Sequence, residues 1–215
     1  MSDVSITCMP VGDLQANCYL LGCPETKKAV VIDPGGDADS IQAALEEKGL
    51  DPAYLVNTHG HFDHIGANAE LKKAYPDSRL CIHEADAPML PAATKNFSIL
   101  QGRSYCSPEA DRLLTDGDVI ECGTIRLEVV HTPGHTHGGV CLAMKCGDGI
   151  CLFSGDTLFA GGVGRTDFPG GDWDALEKSI RERIYSYPAD TVVLPGHGPE
   201  STVGHERDSN PFVSA

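Results

Sequence analysis

No run of apolar residues in the chain approaches a length of about 20, which a helix needs to cross a bilayer, so no span of that kind is expected. The first residues, Met1-Ser2-Asp3-Val4-Ser5-Ile6-Thr7, carry neither a basic n-region nor an apolar h-region, and no signal peptide is expected. Positive charge is scarce: 16 Lys and Arg stand against 31 Asp and Glu, for a formal net charge of −15. That balance opposes non-specific attachment to nucleic acid or anionic lipid, so neither nucleic acid nor membrane is expected as a partner. Cys-x-x-Cys is absent, although there are nine cysteines, an odd number. Free thiols in a reducing cytoplasm follow as the expectation. Cys81, Cys141 and Cys151 fall in apolar strand patterns and read as core residues. Internal repeats, low-complexity tracts and long linkers are also missing, and 215 residues at 41% hydrophobic content suit one domain, 1–215, with its own core.

Against these absences stands a series of short apolar runs separated by turn residues. Strands are expected at 6–9, 18–21, 29–32, 54–57, 79–83, 119–120, 125–130, 140–144, 150–153 and 191–194. Helices are expected after Asp37 or Asp39 as cap, with Ile41, Ala44 and Leu45 inward and Gly49 as the stop; over 65–75; after Asp172, with Trp173, Leu176, Ile180 and Ile184 at helical spacing; and over 201–207. Residues 85–111, broken by Pro88, Pro91 and Pro108, read equally well as a substrate-covering loop or a surface connection.

The densest chemistry lies in Thr58-His59-Gly60-His61-Phe62-Asp63-His64, between an apolar strand and a helix. Ligands of open α/β sheets sit at such carboxyl ends of strands. Residues i and i+2 of extended chain point the same way, so His59 and His61 can close on one ion. Asp63 and His64, at the turn into the helix, can face a second. Neutral imidazole and carboxylate suit zinc, iron or manganese. Three further candidates follow strands in loops rich in Gly and Pro: His135 in Pro133-Gly134-His135-Thr136, Asp156 in Ser154-Gly155-Asp156-Thr157, and His197 in Pro195-Gly196-His197-Gly198-Pro199. Two ions divide the set: His59, His61 and His135 for one, Asp63, His64 and His197 for the other, with Asp156 able to bridge. His83, His131, His137 and His205 read chiefly as structural or exposed, with His131 and His137 able to support a neighbouring ligand.

These four motifs resemble those of metallo-β-lactamase-fold hydrolases, and within them the short, single-domain branch of the glyoxalase II (hydroxyacylglutathione hydrolase) group. The resemblance implies an α/β fold, an αββα sandwich of two mixed β-sheets flanked by helices, with the metals at one edge and no C-terminal helical glutathione-binding domain. It implies two divalent ions, zinc first, with iron or manganese accepted by the same ligands. True β-lactamases commonly carry Cys where Asp156 stands, and flavodiiron proteins carry Glu where His61 stands. Gly162-Val163-Gly164-Arg165-Thr166-Asp167-Phe168 also resembles a stretch of persulfide dioxygenases, which hold one iron through residues matching His59, His135 and Asp156. Their last motif tends to lack the Gly-His-Gly-Pro form of 196–199.

The activity implied is hydrolysis of a small-molecule thioester, such as a glutathione conjugate, in the cytoplasm. Asp63 and Asp156 are the candidates for orienting the attacking hydroxide, and Asp33, in Asp-Pro-Gly-Gly, for supporting a ligand histidine from behind. Arg165 either contacts a substrate carboxylate or pins its own loop through Asp167. Lys95, Arg103 and Arg165 are the cations available to an anionic substrate.

Overall fold

The computed structural model describes residues 4–214. The chain begins with a meander, β1 (Ser5–Val11), β2 (Ala16–Gly22) and β3 (Lys28–Ile32), whose neighbours pair antiparallel. Helix α1 (Ala38–Glu47) then crosses to β4 (Asp51–Val56), and α2 (Phe62–Ile65) and α3 (Asn68–Ala74) cross to β5 (Arg79–His83). With β6 (Arg112–Leu114) these strands complete a six-stranded sheet in the order β1-β2-β3-β4-β5-β6, parallel from β3 onward.

The second half repeats the layering with different topology. Strands β7 (Val119–Cys122), β8 (Ile125–His131), β9 (Val140–Cys146) and β10 (Gly149–Gly155) form an antiparallel meander. A small hairpin, β11 (Leu158–Phe159) with β12 (Gly162–Val163), leads to α4 (Trp173–Lys178), which widens into a π-helical turn at Ser179–Ile184. Strand β13 (Val192–Pro195) returns parallel to β10, β14 (Ser201–Thr202) pairs antiparallel to β13, and α5 (Val203–Ser209) follows, giving the order β14-β13-β10-β9-β8-β7.

The side-chain alternation of the strands explains the layers. In β2, Tyr19 and Leu21 enter the core between the sheets, whereas Cys18 and Leu20 face the helices; in β3, Val30 and Ile32 go inward and Ala29 and Val31 outward. Both faces are covered, so these strands read as unbroken apolar runs. Ile41, Leu45, Ile65 and Leu71 cover the outer face of the first sheet, and Leu176, Ile180, Ile184 and Val203 that of the second. The result is the αββα sandwich of two mixed sheets that the resemblance implied.

Several local expectations need correction. The helix expected over 65–75 is two helices, because the Ala67 N–H turns to Pro34 O (2.9 Å) in the neighbouring loop. Helix α2 therefore starts inside the metal-ligand motif, and Asp63 and His64 lie in its first turn. Asp37 stands at the N-cap of α1 with left-handed backbone and does not cap it; its carboxylate accepts from the Gly12 N–H (2.8 Å). Asp172 does cap α4, accepting from the Ala175 N–H (3.0 Å). Trp173, expected on the inner face of that helix, is 38% exposed. Cys146 and Cys151, expected as free thiols, are paired across the β9–β10 hairpin with Cα atoms 5.9 Å apart. Residues 85–111 contain only two short 3-10 turns, Ala87–Met89 and Ser98–Gln101, and fold back over the edge that carries the ligand motifs.

Candidate metal centre

Five connections converge at one edge of the sandwich: those after β3, β4, β8, β10 and β13. His59, His61 and His135 bring ligand atoms within 4.8 Å of one another, and Asp63, His64 and His197 do the same. Asp156 lies between the two groups, with Oδ1 3.4 Å from His64 Nε2 and Oδ2 3.5 Å from His135 Nε2 and 3.8 Å from His197 Nε2. Asp63 Oδ2 is 3.2 Å from His197 Nε2 and 3.6 Å from His64 Nε2. All seven candidate ligands are thus brought together. Such proximity requires a close backbone approach: a Cβ on Gly196 would lie 2.3 Å from Asp156 Oδ1 and 2.8 Å from His64 Cε1.

Asp33 also lies within 4.8 Å of ligand atoms of His59 and His64, but its oxygens are already engaged. Oδ1 accepts from the Thr58 N–H (2.7 Å), and Oδ2 accepts from the Thr58 hydroxyl (2.6 Å) and from His64 Nδ1 (3.0 Å). This orients the His64 ring, with Nδ1 toward Asp33 and Nε2 facing the cluster. His135 is oriented likewise, donating from Nδ1 to Arg165 O at 2.7 Å. Asp33 therefore stands behind the candidate ligands, with both oxygens taken by Thr58 and His64.

The donor set fits a pair of cations. His59 Nε2, His61 Nε2 and Asp156 Oδ1 are buried without hydrogen-bond partners. Each such orphan costs about 1–3 kcal/mol, a cost a bound ion removes. Imidazole nitrogens also face each other, His135 Nε2 and His61 Nδ1 at 2.9 Å and His64 Nε2 and His197 Nε2 at 3.3 Å. Protonation follows the neighbours. Burial, with the surrounding imidazoles, holds His59 well below the ordinary value, and burial with His135 takes His61 down to about 3. Burial opposes charge on His64 too, but Asp156, Asp63 and Asp33 override it and raise the imidazolium to about 10. Burial would raise Asp63, yet His64 and His197 hold its carboxyl well below the usual range.

Sequence reasoning missed the residues that tie the loops together. Asp86 is buried, its Oδ2 accepting from the Gly60 N–H (3.0 Å) and the Thr136 hydroxyl (2.7 Å), and its Oδ1 from the Gly138 N–H (2.7 Å). It joins the loop after β4 to the loop after β8. Asn17 and Tyr19 of β2 hold the His197 loop through Pro195 O at 2.9 and 2.7 Å. Asn57 holds His64 O at 2.9 Å. No local pattern marks Asp86, Asn17 or Tyr19, since their partners lie far along the chain. His83 and His131 stack on each other at 4.1 Å, consistent with their structural reading. His137 lines a neighbouring cavity.

Above the cluster lies a cavity of about 410 Å³. His61, Asp63, His135, Asp156 and His197 form one side of it, and Leu14, Phe97, Leu100, Phe159, Val163 and Phe168 supply most of the rest. Arg165 reaches its rim, but its guanidinium makes paired bonds to Asp167 (2.9 and 2.7 Å) and lies 4.2 Å from the Phe168 ring centre.

This fold and this set of histidines and aspartates define a class. Residues 11–197 match the model of the metallo-beta-lactamase superfamily, and the chain belongs to that superfamily. Among full-length relatives, it is 40% identical to the probable metallo-hydrolase YqgX of Bacillus subtilis, over 96% of each chain. It is 34% identical to the hydroxyacylglutathione hydrolase GloC of Haemophilus influenzae, over 99% of each. The human mitochondrial persulfide dioxygenase ETHE1 is 36% identical over 91% of this chain and 70% of its own. Two solved structures superpose closely: BLEG-1 B3 metallo-beta-lactamase, with TM-score 0.92, 38% identity and 98% and 100% coverage, and TTHA1623 in a di-iron-bound form, with TM-score 0.84, 37% identity and 96% and 100% coverage.

Proposed function

We propose that the protein is a binuclear metal-dependent thioester hydrolase of the cytoplasm, cleaving S-lactoylglutathione or related 2-hydroxyacyl thioesters. His59, His61 and His135 would hold one ion and Asp63, His64 and His197 the other, with Asp156 shared. Zinc is the first choice, and iron or manganese suits the same donors. When bound, the pair supplies a water acidic enough to attack at neutral pH and a Lewis acid for the carbonyl.

The chain's own groups account for the rest. Asp63 and Asp156 accept a hydrogen bond from the attacking water and orient it. The new C–O bond forms as the C–S bond breaks, giving a carboxylic acid and a thiol. A thiolate departs without prior protonation, which suits a cavity whose polar lining groups outside the ligand set, among the described residues, are Gln101 and Arg165. An amide-like leaving nitrogen would need a proton donor there.

The observation that carries this reading is the second convergent trio, Asp63, His64 and His197, beside the first. A mononuclear iron dioxygenase acting through His59, His135 and Asp156 is the alternative, favoured by the likeness to ETHE1. The test is metal analysis of protein purified without added metal, then assays of the same sample with S-lactoylglutathione, glutathione persulfide and a β-lactam. The hydrolase cleaves the thioester without oxygen and carries two ions per chain. Oxygen uptake with persulfide, one iron per chain and no thioester cleavage would establish the alternative.

A further inference from the structure

We propose that the cavity selects thioesters bearing an apolar substituent beside the reacting carbonyl, and makes no dedicated contact with an anionic carrier such as glutathione. The inference rests on the thioesterase reading and names the substrate class of that same site.

The wall is assembled from four separate segments: Leu14 from the β1–β2 turn, Phe97 and Leu100 from the 85–111 stretch, Phe159 and Val163 from the β11–β12 hairpin, and Phe168 from the approach to α4. Leu14 and Leu100 are 46% and 69% exposed and continue the apolar wall to its rim, and a contiguous exposed apolar surface of this kind marks a ligand-binding groove. The two segments are also tied together, because Arg103 bonds Asp13 at 2.8 Å and the Tyr105 hydroxyl at 2.6 Å. That contact occupies one of the three cations available to an anion. Arg165 is occupied by Asp167, and Lys95 lines the cavity on the other side of Phe97, not this one.

Phe97 sits at the division between the two cavities with φ of 65°, a left-handed backbone that a bulky residue adopts only under constraint. The constraint is visible. Buried Asn96 donates to Met89 O and Tyr105 O and accepts from the Ser98 N–H, and Asn96 O accepts from the Phe62 N–H. The result holds the Phe97 ring 5.2 Å from the His61 ring and 5.2 Å from that of Phe168. An aromatic surface is thus fixed directly against a ligand of the cluster, where the substituent on the reacting carbon or sulfur must lie.

Two thioester series test this with metal-loaded protein. One varies the acyl chain from acetyl to hexanoyl on N-acetylcysteamine, and the other varies an alkyl thiol on a constant acetyl group. In one series kcat/KM should rise about fourfold per methylene, the effect of about 0.8 kcal/mol per buried methylene, until the cavity fills. Which series rises identifies the side of the ester that occupies the wall. Leu100→Ser and Phe97→Gly should flatten the slope, a within-variant ratio insensitive to overall losses; the glycine also relieves the left-handed backbone. Ketone analogues with a methylene in place of sulfur, measured by calorimetry, should bind more tightly with length in the same way. Length-dependent binding without any thioester cleavage would sink the thioesterase reading and keep the apolar site. Flat slopes in both series, flat ketone binding, or S-lactoylglutathione preferred over the hexanoyl ester by more than tenfold would overturn the inference.

Discussion

Two residues at the centre carry testable consequences of their surroundings. Among the described residues Asp156 is the one carboxylate within 4 Å of histidines from both groups, and its Oδ1 is a buried orphan, so Asp156→Ala should lower bound metal from two ions to one or none and abolish turnover. Elemental analysis and a thioester assay on the folded variant check this together. His64 makes a pH prediction for the metal-free protein. Its folded value of about 10 lies above the ordinary 6.5, so its contribution is fully present below pH 6.5 and is lost as pH rises through about 10. His59 and His61 shift the other way and act below pH 6.5, outside that window. Chelator-stripped protein should therefore show a falling Tm between pH 7 and 10.5. Metal uptake at pH 8 should release a proton, read by calorimetry in buffers of different ionisation heat.

At the scale of elements, the loops that hold the ligands owe their positions to ties between them. Asp86→Ala leaves the Gly60 and Gly138 N–H groups without their acceptor. At about 1–3 kcal/mol for each orphaned group, the variant should lose at least about 2 kcal/mol in denaturant unfolding, and bind metal more weakly. Asp172→Ala removes only the cap of α4 and should cost about 1 kcal/mol with metal content unchanged. Comparing the two variants separates loss of a loop tie from simple destabilisation.

For the molecule as a whole, three apolar clusters, one between the sheets and one under each helical layer, hold the sandwich independently of the cluster at its edge. Metal removal should therefore abolish activity and lower Tm while leaving the far-ultraviolet circular dichroism close to that of the loaded protein. Collapse of that spectrum on chelation would mean that the ions hold the fold itself.

The sequence by itself determined the layered architecture and pointed to the seven side chains that the closed fold brings together at one edge. Strand runs such as 29–32 and helix spacings such as Leu176, Ile180 and Ile184 are local patterns of burial, and ligand motifs at strand ends are local too. The break between α2 and α3, the misplaced cap at Asp37, the exposure of Trp173 and the pairing of Cys146 with Cys151 were not legible, because each depends on a contact outside the local pattern. Only the tertiary structure decided that Asp86 joins two ligand loops, that Arg103 and Arg165 are engaged by Asp13 and Asp167, and that Phe97 and Leu100 line the cavity over the cluster. For Asp86, Arg103 and the cavity wall the physical reason is the same: a hydrogen bond or wall contact between distant segments exists only once the sheets have packed, and no spacing along the chain encodes which partner the closed fold will supply. For Arg165, two residues from Asp167, the spacing allowed the pairing, and the fold decided between it and a free guanidinium.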